Sequence, residues 1–155
     1  MNNGKRSRSN DFGINSGLLL LRVGVGLTLC IFFGWPKLKA AAAYFHTGQW
    51  EFIDFNRKCG LPGPVLAAYV QSLNESVVAL FVAIGLFTRY CAGLLFIGFA
   101  VATYCSLKVG EPAWLMAGYF ALTFATLALT GPCKFSIDFF LRSRALAKAL
   151  DSPKS

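Results

Sequence analysis

A chain of 155 residues has room for one domain. Hydrophobic residues make up 55% of it even before its 15 glycines are counted, and charged residues only 14%, where a soluble domain carries about 25%. So small a soluble fold could not bury that much apolar surface, and the net charge of +8 sits at the ends and in loops between apolar runs; this argues for an integral membrane protein and against disorder, a secreted disulfide scaffold or a nucleic-acid binder.

After a basic tail over residues 1–16, the first apolar run is Gly17–Trp35, broken only by Arg22. As a helix it reaches about 28 Å, close to the thickness of the hydrocarbon layer. The competing reading is a signal peptide, with Lys5, Arg6 and Arg8 as its basic region and Ala40-Ala41-Ala42 as a cleavage site. Arg22 inside the run, and Trp35, Pro36, Lys37 and Lys39 after it, favour a retained helix.

Residues 36–63 are then a long connection. Trp50, Phe52, Ile53 and Phe55 stand there among Glu51, Asp54, Arg57 and Lys58, too many aromatics for a loop in water. The pattern predicts a short helix in the membrane interface or a lid on the mouth of the bundle. Cys59-Gly60-Leu61-Pro62-Gly63-Pro64 is turn chemistry that starts the next span. Three further spans follow: Pro64–Phe87, Tyr90–Leu107 and Ala113–Thr130. After Gly131-Pro132, Ser136 is a candidate N-cap with Asp138 in the first turn of a basic amphipathic tail helix. The expected architecture is all-α: a transmembrane four-helix bundle with an interfacial loop and a cytoplasmic tail helix. Lys and Arg counts, nine on the side of the termini and five on the other, place both termini in the cytoplasm.

Three helices carry faces unsuited to lipid. The first has Arg22, Gly26, Cys30 and Gly34 at steps of four. The second has Ala68, Gln71, Ser72, Glu75, Ala79 and Ala83 on one side, and the fourth has a stripe of Tyr119, Thr123, Thr126 and Thr130. Glu75 is the most informative residue, because it falls near the bilayer midplane, where a carboxylate must be protonated, paired or facing a wet cavity. A pair or water-linked network with Arg22, with Gln71 and a threonine of the last span nearby, would satisfy it. Arg22 could instead snorkel to the headgroups, and Glu75 could serve packing alone. Asn74 points away from Glu75 and reads as a second inter-helix contact.

Five cysteines show no C-x-x-C pair, and His46 is the single histidine, so the chain holds no zinc or iron–sulfur ligand set. Cys59 and Cys105 fall on one side of the membrane and could form a disulfide in an oxidising compartment; packing is the alternative.

Several motifs occur in order: Leu-Leu-Leu-Arg-Val-Gly-Val-Gly at 19–26, Gly-Trp-Pro-Lys-Leu at 34–38, Asn-Glu at 74–75, Gly-Leu-Phe-Thr-Arg at 85–89 and Gly-Pro-Cys-Lys-Phe-Ser-Ile-Asp at 131–138. Together they resemble the DoxX family of small four-helix membrane proteins. The resemblance implies association with membrane oxidoreductase assemblies, quinol oxidation or thiosulfate:quinone oxidoreduction. It maps the family's recurring polar positions to Arg22, Lys37, Glu75, Arg89 and Asp138. Many members carry histidine where this chain has Phe33, and glycine where it has Cys133.

Three functions fit this reading. In the first, the protein is a subunit of a redox complex in the bacterial inner membrane. A quinone would bind between the helices, Glu75 would take a proton, Arg22 or Gln71 would donate to a carbonyl, and partner proteins would supply electrons. Lys37, Arg89 and Asp138 would orient helix ends or contact the ligand. The second is a transporter or permeation subunit, which would need a homo-oligomer for room. The third is an assembly protein without a ligand. The first is preferred, and no metal is expected.

Overall fold

A computed structural model describes residues 3–131 with 136, 137, 143 and 144, and side chains from residue 13 onward. The described residues are helical, with no strand among them: α1 (Asn3–Thr28), a π-helical segment Leu29–Gly34, α2 (Trp35–Thr47), α3 (Glu51–Cys59), α4 (Pro64–Leu73), a second π-helical segment Asn74–Val78, α5 (Ala79–Ile84), α6 (Thr88–Val109) and α7 (Trp114–Thr130). Gly13–Thr47, Pro64–Ile84 and Thr88–Val109 are each long and apolar enough to cross a membrane. Helix α7, with 17 residues, adds a shorter apolar helix of about 26 Å. The result is a membrane helical bundle.

The first helix does not end at Trp35. The chain continues as α2 to Thr47, so the expected connection over 36–63 begins with a continuation of the first helix, ahead of the short helix expected there. The reason lies in the π segment. In an α-helix Pro36 would leave a carbonyl unbonded and crowd the preceding turn. Here the wider turn of Leu29–Gly34 comes first, with the Trp35 N–H donating to the Cys30 carbonyl five residues back, and Pro36 falls in the opening turn of α2, where no N–H is needed. Gly48, in the left-handed conformation, then ends α2.

The helix from α1 to α2 packs antiparallel to α4–α5 along the small-residue seam. A Cβ at Gly26 would collide with Ala79 and Ala83, and one at Gly34 would run into the backbone of Glu75 and Ser76. The two π segments thus meet face to face, with Gly34 as the contact point. Helix α6 packs on α5 and α7, and Phe99, Phe120 and Phe124 join α6 to α7 around Leu29, Leu95 and Leu127.

Helix α3 is the predicted lid. Its apolar face, with Ile53 and Cys59 buried and Trp50 buried just ahead of it, lies on α4 and α6. A disulfide from Cys59 to Cys105 fastens its last residue to α6 with Cα atoms 5.3 Å apart, and the Lys108 ammonium donates to the Cys59 carbonyl at 2.7 Å. We call this the lid end of the bundle. Asp138, Cys133 and the predicted tail helix lie outside the described residues.

Candidate functional site

The site is built where the two π segments cross. A π turn holds one more residue than an α turn, and in the segment Asn74–Val78 this buries three consecutive polar side chains, Asn74, Glu75 and Ser76. Each has its own outlet. The Ser76 hydroxyl donates to the Ser72 carbonyl at 2.7 Å. The Asn74 amide donates to the Leu94 carbonyl of α6 at 3.2 Å, which makes it the inter-helix contact expected of it. Glu75 turns toward α2.

The counter-charge of Glu75 is Lys37. Its ammonium donates to both carboxylate oxygens, at 2.7 and 2.6 Å, and Gln71, one turn earlier, donates from Nε2 to Oε1 at 2.9 Å. The Lys37 side chain is 26% exposed and that of Glu75 3%. The ammonium also stands 4.4 Å from the centre of the Phe52 ring on α3, a cation–π contact. Lys37 reaches this position because α2 is a continuation of α1: three residues past Gly34, it stays on the seam that faces Glu75.

Arg22, the partner expected from the sequence, lies elsewhere. It is 2% exposed and packs at the opposite end of the seam, where a Cβ on Gly85 would come within 2.9 Å of its Nη1. Gly85 follows Glu75 by ten residues, about 15 Å along a helix. Antiparallel packing therefore pairs position 22 with 85 and position 34 with 75, out of reach of an Arg22–Glu75 bridge. The threonine stripe of α7 is not at the site either. The hydroxyls of Thr123, Thr126 and Thr130 bond to carbonyls three or four residues back in their own helix, so that stripe can face lipid. Arg89 donates to the Leu129 carbonyl at 3.2 Å and lies against Gly131, tying the start of α6 to the end of α7. Of the six residues singled out from the sequence, the structure brings together Glu75, Lys37 and Gln71.

Lys37 and Glu75 border a cavity of about 400 Å³ that extends to Glu51 and Glu111 at the lid end. Four phenylalanines stand on its wall, Phe33, Phe52, Phe55 and Phe99, with alanines, Ser106 and Met116 beside them. Phe52 and Phe55 stack at 6.2 Å with ring planes 8° apart. These residues went unread as site residues in the sequence, although the spacing of Phe52 and Phe55 on an amphipathic helix is the signal that places both on one face. Chemically, the site offers an ammonium as donor and a carboxylate as acceptor, beside a cavity that carries four phenylalanines and two further carboxylates, Glu51 and Glu111. Among the described residues no group of three or more His, Cys, Asp and Glu could hold a metal ion.

The chain matches the model of the DoxX family over residues 17–107. It belongs to the DoxX family. The matched stretch contains Arg22, Lys37, Glu75 and Arg89, and so both charged members of the cluster. This DoxX protein is also 30% identical over 143 residues to the inner membrane protein YphA of Escherichia coli (strain K12), with 83% of this chain and 94% of that protein covered. No solved structure matches it.

Proposed function

We propose that this DoxX protein is the quinone-binding membrane subunit of a redox assembly in the bacterial inner membrane. The observation that carries the reading is the half-buried Lys37 ammonium paired with the buried Glu75 carboxylate on the wall of a cavity of about 400 Å³ that also carries four phenylalanines. A quinone head is planar, apolar on its faces and hydrogen-bond accepting at its rim. The phenylalanine walls suit the faces, and the Lys37 ammonium suits a carbonyl. Reducing a quinone consumes protons, and Glu75 is placed to relay one while Lys37 balances its charge. Electrons would come from partner proteins.

The proposed orientation puts the lid end outside. The disulfide supports it, because an oxidising compartment is where such bonds persist, and so does the excess of basic residues expected on the other side. YphA, named an inner membrane protein, supports the choice of membrane.

Binding of a water-soluble, head-only benzoquinone to the purified protein in lipid nanodiscs tests the reading. Quenching of tryptophan fluorescence should saturate, and Lys37→Met should weaken binding at least about tenfold, the value of one charge-assisted hydrogen bond. Quenching that rises linearly without saturation, and equally in the variant, would overturn it.

A further inference from the structure

A second cavity, of about 470 Å³, lies behind the first. Phe52, Phe55 and Ala102 border both, so a partition of side chains separates them. Gln71 is part of that partition: it lines the second cavity while its amide holds Glu75 in the first. The second cavity runs between α4 and α6 and is bounded mostly by aliphatic side chains, with Gln71, Asn74 and Asn56 as its polar points. Gly98 makes room for two of these amides, since a Cβ there would strike both Gln71 and Asn74. On the flank of the bundle, Val70, Leu73, Leu94 and Ile97 line the cavity and are also 49–59% exposed, so the cavity reaches the surface that faces lipid.

We propose that this second cavity holds the hydrocarbon chain of the ligand whose polar ring sits at Lys37 and Glu75. The ligand class is a lipid-soluble ring compound with a long apolar tail, which enters from the bilayer between α4 and α6. The inference rests on the head-site reading above and adds to it a route and a second contact region. Adjacency carries it. One cavity offers charge and aromatic faces, the next offers aliphatic walls and a lipid-facing edge, and only the side chains of Phe52, Phe55 and Ala102 border both. Moving a tail from bilayer to cavity exchanges one apolar surface for another, with little hydrophobic gain. The tail site therefore sets orientation and selectivity more than affinity, and the test must read position.

The experiment uses the full chain in nanodiscs with a benzoquinone carrying a diazirine midway along an alkyl tail. After photolysis, adducts are mapped by peptide mass spectrometry. The expected adducts lie at cavity positions such as Val78 and Val101, vanish when excess head-only quinone is added, and move to lipid-facing positions in Val101→Trp. Head-only quinone that binds saturably while adducts scatter over Leu20 and Leu129 would overturn the tail site and leave the head site standing. Failure of the head-only quinone to saturate would remove the head site itself. Equal labelling of Val78 and Val101 by a diazirine phospholipid would make the cavity an ordinary lipid groove and overturn the proposal.

Discussion

Lys37 keeps 26% of its side chain exposed and Glu75 only 3%, and this asymmetry decides which partner the protein can lose. Truncating Lys37 strands a carboxylate at the centre of the fold. Removing one member of a buried pair costs about 3–5 kcal/mol, because the remaining charge has nowhere to go. Lys37→Met should therefore lower the melting temperature sharply. Glu75→Gln leaves an ammonium that can turn into the cavity and an amide that can still meet Gln71, so its cost should be smaller, about 1–2 kcal/mol. The double variant Lys37→Met with Glu75→Leu should recover much of the loss. Thermal unfolding of the three variants in one detergent checks the order. Glu75 was legible in the sequence, since a lone carboxylate inside an apolar span must have a reason to be there. Its partner was not. Reading Pro36 as the end of the first helix removed Lys37 from the seam and left Arg22 as the nearest cation.

At the scale of elements, the small-residue seam was readable from spacing alone. Arg22, Gly26 and Gly34 on one helix and Ala68, Ser72, Glu75, Ala79 and Ala83 on its neighbour are buried. Their glycines are not equivalent. A Cβ at Gly24 meets nothing within 4 Å, whereas one at Gly34 enters the Glu75 backbone. Gly24→Ala should leave stability unchanged or raise it by up to about 1 kcal/mol. Gly34→Ala should push the two π segments apart, lower the melting temperature and weaken head-only quinone binding together. Equal behaviour of the two variants would show that the crossing does not position the site. What spacing could not reveal was the π geometry itself, which depends on tertiary contact between the segments. Nor could it show which way the last helix faces, because hydroxyls that bond within their own helix look like a polar face in sequence and behave as an apolar one in the membrane.

Across the whole molecule, the bundle and its lid followed from the apolar runs and the aromatic interfacial segment, while for the fastening of the lid the sequence left a Cys59–Cys105 disulfide and simple packing open, and the structure has the disulfide. Cys59 and Cys105 are 46 residues apart in sequence, and their bond joins α3 to the helix on the far side of a full membrane crossing. A cross-link of that span is worth about 4 kcal/mol by loop entropy alone, less where the intervening helices are already held in a bilayer. Alkylation of the intact protein without reductant should add two fewer labels than after reduction, as read by mass. Cys59→Ala with Cys105→Ala should leave helical content intact by circular dichroism while making the Glu51–Cys59 segment easier to cleave by added protease. A variant lid as resistant as the wild type would show that packing of Trp50 and Ile53 suffices to hold it.

The π turn ahead of Pro36 has a consequence for how the chain tolerates length changes. Each residue of an α-helix advances the side chains by about 100°. The wide turn of Leu29–Gly34 thus absorbs a surplus residue and holds everything from Trp35 to Thr47 at the angle that aims Lys37 at Glu75. Loss of one residue from this turn would let it close as ordinary α-helix with that angle kept, whereas drawing all of its residues into α geometry would turn the lysine away by more than a quarter of a circle. The span is therefore indifferent to whether this turn is wide or regular, and the site is not: it needs the width of the turn to match the number of residues in it.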